Sequence, residues 1–163
     1  MGIFHPCADT GSTLIEGKML FQECLCFIVG KASRNMVRMV KDKVSPYGLT
    51  PTQFFLLIAL YEENGILITA LAKKVALDKS TLTSLLDRLE RDELIQRTAH
   101  PTDRRIIQIY LTPKAEVMRE DLLRIYREVN GLFLSRLTPE ELKQFEEILA
   151  KLEKVETDGK DEA

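Results

Sequence analysis

DKSTLTSLLDRLERDELIQRTAHPTDRRIIQIYLT, residues 78–112, changes its period midway. In its first part Leu82, Leu85, Leu86 and Leu89 recur at helical spacing, behind Asp78 as an N-cap. This predicts a helix from Lys79 to about Asp92. The second part turns β-rich. Leu94 to Thr98 and Arg105 to Leu111 bracket the polar turn His100-Pro101-Thr102-Asp103, and Ile107 and Ile109 alternate with Gln108 and Tyr110. A helix followed directly by a charged hairpin is the reading half of a winged helix-turn-helix, in which the second helix of the pair enters the DNA major groove.

The face opposite the leucines carries Ser80, Thr83, Ser84, Asp87 and Arg88, with Thr81 at its margin. Short hydroxyl side chains allow close approach of a helix to bases and phosphates. Alone, the pattern fits a solvated amphipathic helix better; joined to the hairpin, it reads as a DNA-contacting face. The hairpin tip carries Asp103-Arg104-Arg105. A guanidinium at such a turn enters narrow minor grooves, and Asp103 is placed to direct Arg105 through a bidentate pair. The expected DNA-binding set is therefore Lys79, Ser80, Thr81, Thr83, Ser84, Arg88, Asp103, Arg104 and Arg105. Of these, Lys79, Ser80, Thr81, Arg88 and Arg104 are expected mainly to position the backbone. Arg88 is also the candidate for a bidentate guanine contact, and Arg105 for the minor groove.

Working outward, Thr69 is expected to cap a short helix ending at Ala76, with Leu77-Asp78 as the turn between the two short helices. Ile66-Leu67-Ile68 reads as a short edge strand. Thr50-Pro51, Thr112-Pro113 and Thr138-Pro139 each place an N-cap before a proline at the first helical position. Gln53 and Glu141 complete capping boxes. The helix from Pro51 is apolar almost throughout, which makes it central core. Later helices are expected from Pro113 to about Leu137, with Val117, Leu122, Ile125, Val129 and Leu132 in one stripe, and from Pro139 to about Val155, with Leu142, Phe145, Leu149 and Leu152 in another. A long first helix, with Thr13 and Glu16 as its capping box, is stopped by Ser45-Pro46-Tyr47-Gly48. Its wide apolar surface suits burial on two sides. The fold class is mainly α with a small β-hairpin wing. Residues 50–112 form the winged helix-turn-helix, 13–45 and 113–155 the dimerisation helices, and 1–12 and 156–163 disordered ends. The terminal helices carry more apolar face than one small domain covers, so a homodimer is expected.

The net charge of −2 first argues against nucleic acid. Its distribution reverses that. Residues 69–110 carry Lys73, Lys74, Lys79, Arg88, Arg91, Arg97, Arg104 and Arg105 against six carboxylates, and the acidic excess lies beyond residue 110. A phosphate backbone responds to the local field. No apolar stretch is long enough to span a bilayer, and Met1 to Thr13 lacks the features of a signal peptide, so a cytoplasmic protein without membrane contact is expected. His5 and His100 are far apart, and neither a glycine-rich phosphate loop nor a nucleophile motif is present. No metal, cofactor or enzymatic activity is expected.

Leu71-Ala72, Asp78-Lys79-Ser80-Thr81-Leu82-Thr83, Leu86-Asp87-Arg88-Leu89-Glu90, and Asp103-Arg104-Arg105 through Leu111-Thr112 resemble the blocks of MarR-family regulators, over about residues 20–155. Ala115 departs from the glycine frequent in the family after Leu-Thr. The resemblance implies a winged-helix homodimer on a pseudo-palindromic operator in double-stranded DNA. It implies a repressor, released by a small-molecule effector whose identity is not written in the chain, or by oxidation. Leu25-Cys26-Phe27 with Ala32-Ser33-Arg34 resembles the organic-hydroperoxide-sensing branch and makes Cys26 a candidate redox sensor. That branch has tyrosines where this chain has Gly30 and Val40, which removes two donors to the sulfur. The bland alternative is that Cys24 and Cys26 are apolar fillers. A winged helix used only for protein interaction is the remaining reading.

Overall fold

A computed structural model describes Phe21, residues 24–103 and residues 105–154. The expected disordered ends, the Thr13–Glu16 capping box and Arg104 lie outside the described residues. The chain divides into two compact units, Met1–Val37 and Arg38–Ala163, and each is considered by itself.

The elements run α1 (Leu25–Val44), α2 (Pro51–Glu62), β1 (Ile66–Leu67), α3 (Ile68–Lys74), α4 (Lys79–Arg91), β2 (Ile95–Ala99), β3 (Ile107–Leu111), α5 (Pro113–Val117), α6 (Arg119–Leu134) and α7 (Pro139–Glu153). The fold is the expected one, mainly helical with a small antiparallel wing. The three strands lie in the order β1-β3-β2. In register, Ile95 faces Leu111, Arg97 faces Ile109 and Ile66 faces Ile109.

The start signals work as their chemistry requires. Thr50 and Thr138 form reciprocal capping boxes with Gln53 and Glu141. Thr112 accepts the Ala115 N–H, and Asp78 accepts the Thr81 N–H. Helix α2 is the central element. Phe54, Leu56, Leu57 and Leu60 are fully buried, and Gln53, its one buried polar residue, is satisfied by the Thr50 N–H and hydroxyl. Leu71, Leu82, Leu86, Leu89, Ile95, Ile109 and Leu122 complete this core.

Two helices of the reading unit end alike. The Leu77 N–H donates to Ala72 O after α3, and the Leu94 N–H donates to Leu89 O after α4. Each closure places a non-glycine residue, Ala76 (φ 50°) or Glu93 (φ 59°), in the left-handed region. These closures set the turn between α3 and α4 and the entry into the wing.

Three expectations need correction. Helix α3 begins at Ile68, and its N-cap Leu67 makes no side-chain cap, so Thr69 lies inside the helix. Pairing of Ile66 and Leu67 with β3 fixes this start two residues earlier than the threonine suggests. The helix after Pro113 is interrupted at Met118, whose N–H donates to Ala115 O three residues back. Helix α1 is not buried on two sides in the single chain: only Val40 and Val44 are buried, and Leu25, Ile28, Val29, Met36 and Val37 are exposed.

Gly65 sits at the α2–β1 corner with φ 82°, and its N–H donates to Ile109 O. A Cβ there would lie 2.7 Å from Tyr110 Cε1. Both the torsion and the space require glycine. Gly65→Ala is expected to lower stability by about 2–4 kcal/mol, measured by urea unfolding.

Candidate nucleic-acid interface

Helix α4 buries Leu82, Leu86 and Leu89 and leaves Lys79, Ser80, Thr81, Thr83, Ser84, Asp87 and Arg88 exposed. The expected reading face is therefore brought together on one surface. Among the described residues, no salt bridge restrains Lys79 or Arg88.

The N-terminal turn of α4 is organised around Asp78. Its Oδ1 accepts the Thr81 N–H at 2.9 Å and the Ser80 hydroxyl at 2.5 Å, and its Oδ2 accepts the Thr81 hydroxyl at 2.6 Å. These bonds, the Ser80 hydroxyl first, hold the Asp78 carboxyl well below the usual carboxylate range. One turn on, the Thr83 hydroxyl donates to Lys79 O at 2.7 Å.

The wing is fastened to this helix by Arg97, which composition alone left among the general basic charges. Its Nη1 lies 2.6 Å from Glu90 Oε2, and its Nη2 lies 2.7 Å from Asp87 Oδ1 and 3.3 Å from Thr83 O. The Arg97 N–H also donates to Glu90 Oε1 at 3.1 Å. Strand alternation held the missed signal. Arg97 is two residues from buried Ile95, on the inward face, where an arginine needs partners. Asp87 and Glu90, three apart on α4, supply them.

At the hairpin tip, Asp103 does not direct the Arg105 side chain through an ion pair. Its Oδ1 accepts the Arg105 backbone N–H at 2.9 Å, and its carbonyl accepts the Ile106 N–H at 3.0 Å. The aspartate shapes the turn, and no salt bridge joins the two side chains among the described residues. His100 closes the other side, with Nδ1 2.9 Å from the Thr102 hydroxyl. Arg105 is exposed.

Cys24 and Cys26 are free thiols, and both are exposed in the single chain. No group of His, Cys, Asp and Glu side chains suited to a metal ion occurs among the described residues. No described helix is long and apolar enough to cross a membrane.

The chain has relatives among known proteins. The model of the MarR family matches residues 49–107. The HTH-type transcriptional regulator YsmB of Bacillus subtilis is 33% identical over 129 residues, covering 77% of this chain and 88% of YsmB. The chain belongs to the MarR family, whose members are DNA-binding transcriptional regulators and not enzymes. The HTH-type transcriptional repressor MdtR of B. subtilis is 34% identical over 120 residues, 73% of this chain and 77% of MdtR. Among solved structures, the S. aureus MepR–DNA complex superposes with a TM-score of 0.71 at 27% identity, covering 79% of this chain and 95% of MepR.

Within this MarR-family chain, Arg97 is a positioning residue for the wing. Arg97→Met is expected to keep the helical content, lower stability by about 1–3 kcal/mol and speed amide exchange across residues 97–106, measured by hydrogen–deuterium exchange. Unchanged exchange in the wing would show that the clamp does not hold it.

Proposed function

We propose that this chain is a homodimeric repressor that sets α4 of each protomer into successive major grooves of a pseudo-palindromic operator. The observation that carries this reading is the fastening of wing to helix through Arg97, which holds the exposed face of α4 and the Arg105 turn as one surface. Half-site centres then lie roughly 34–36 Å apart. Lys79, Arg88 and Arg104 position the protein on phosphates, Arg88 also reaching a guanine, and Arg105 enters the minor groove.

The dimer assignment, with residues 13–45 and 113–155 as its lobe, is supported by apolar surface that the single chain leaves uncovered. Helix α7 has no buried residue, although Phe145, Ile148 and Leu152 recur along one face. Leu132, Leu134 and Leu137 add to it. Contiguous apolar area of this kind marks an interface. The repressor role takes support from the similarity to MdtR, a transcriptional repressor. Release by a small-molecule effector requires only that the ligand bind one spacing of the two reading heads better than the other.

Arg105→Ala is expected to weaken operator binding roughly tenfold and to lower the salt dependence, while both proteins sediment as dimers. A gel-shift titration with equal affinities would refute the wing contact.

The exposure of Cys26 favours a second reading, release by peroxide. The Cys26 thiolate would attack a peroxide oxygen and become a sulfenic acid, with the other oxygen leaving as water or an alcohol. Under that reading, peroxide removes DNA binding from the wild type and not from Cys26→Ser. Unchanged affinity of the wild type after stoichiometric peroxide leaves the ligand-released repressor alone.

A further inference from the structure

Small hydroxyls on a DNA-facing helix are ordinarily assigned as donors to phosphate. Here their protons are already committed. A hydroxyl has one proton and two lone pairs. The proton of Ser80 goes to Asp78 Oδ1, that of Thr81 to Asp78 Oδ2, and that of Thr83 to Lys79 O, at 2.5, 2.6 and 2.7 Å. Ser80 and Thr81 are exposed at the first turn, and with its proton given to Asp78 each oxygen has only lone pairs to offer an incoming group.

Retraction of these protons is disfavoured. The Asp78 carboxylate collects three donors, and its depressed pKa reflects how strongly they favour its charge. Against a DNA surface, where water is displaced and phosphates are near, losing those donors would leave an anion unsatisfied beside other anions. The outward lone pairs then repel phosphate oxygens, guanine O6 and N7, and thymine O4. The major-groove donors are the exocyclic amino groups, adenine N6 and cytosine N4.

We infer that Asp78 fixes Ser80 and Thr81 as hydrogen-bond acceptors, so that these two residues read an amino-bearing base in each half-site instead of positioning phosphate. Asp78 touches no base in this arrangement. It is a positioning residue that sets the hydrogen-bond polarity of the reading face. The inference rests on the proposed placement of α4 in the major groove, and it replaces the phosphate role expected for Ser80 and Thr81.

The test uses the full chain and a pool of random-sequence duplexes, from which the bound half-site is selected. Each adenine or cytosine of that half-site is then replaced by its desamino analogue, purine or 2-pyrimidinone. Loss of about five- to tenfold in affinity is expected at one or two positions for the wild type. Ser80→Ala and Thr81→Val, checked for unchanged helical content by circular dichroism, should bind the unmodified duplex more weakly and show no further loss with the desamino bases. Asp78→Asn keeps a good N-cap but turns one acceptor into a donor, so one hydroxyl regains its proton. It should shift the selected base at that position towards guanine or thymine. If Asp78→Asn selects the wild-type base, the inference is overturned. It is equally overturned if methylphosphonate at one phosphate, and no desamino base, abolishes the effect of Ser80→Ala and Thr81→Val. Both of those outcomes leave the major-groove reading intact. Selection of no duplex, with no salt-dependent binding, instead defeats the major-groove reading and this inference together.

Discussion

One guanidinium joins the two parts of the candidate interface. Arg97 extends from β2 to two carboxylates and a backbone carbonyl of α4, and its side chain is 24% exposed. An arginine that shares its fork among several acceptors is held more firmly than a single surface ion pair, and the solvent that still reaches Asp87 and Glu90 keeps the gain modest. A two-stranded wing standing alone is marginal in water. Pinned to α4 at its root and extended by β1 at its far edge, it becomes part of the helix's own framework. The Asp103 turn, and with it the direction in which Arg105 leaves the backbone, inherits that rigidity.

A second junction connects α2 to α5 and α6. The Tyr61 hydroxyl donates to Ala115 O at 2.6 Å, and Arg119 Nη2 donates to Tyr61 O at 2.8 Å while its guanidinium lies 5.3 Å from the Tyr61 ring centroid. Burial first, and then Glu116, push the Tyr61 hydroxyl up to about 12, so it remains a donor at any physiological pH. Arg119 thus satisfies a carbonyl at the C-terminal end of α2, where the helix dipole favours a cation. The interruption at Met118 lies between these two bonds and lets α6 leave in a direction set by the junction, not by continuation of α5.

Most of the framework was legible because it rests on local chemistry. The three Thr-Pro caps, the leucine spacing of α4 and the period-two pattern of β3 each act within a few residues. What the sequence withheld is non-local or depends on atomic direction. The interruption at Met118 follows from packing of Tyr61 and Arg119, 58 positions apart. The start of α3 before Thr69 follows from pairing with β3, which overrides the threonine's capping preference. Asp103 and Arg105 have the right charges for an ion pair, but two residues apart in a turn the carboxylate reaches the backbone N–H first. For the candidate interface, sequence located the surface of α4 and the wing tip. It missed Arg97, and it could not tell which way the hydroxyl protons of Ser80 and Thr81 point.

That last distinction bears on how a chain with a net charge of −2 engages a polyanion. Of the basic residues in the middle segment, Arg97 and Lys74 are neutralised internally, by Asp87 and Glu90 and by Glu62 and Glu63. The attractive field is left to a few exposed cations, among them Lys79, Arg88 and Arg105. Two carboxylates, Asp78 and Asp87, lie on the same surface, and their charge is contained by Ser80, Thr81 and Arg97. On the proposed reading, discrimination rests on short-range features, the polarity of two hydroxyls and the shape of a groove that admits a guanidinium. On that reading Asp78 and Asp87 serve the interface by orienting their neighbours, and the modest total charge is consistent with specificity built from geometry.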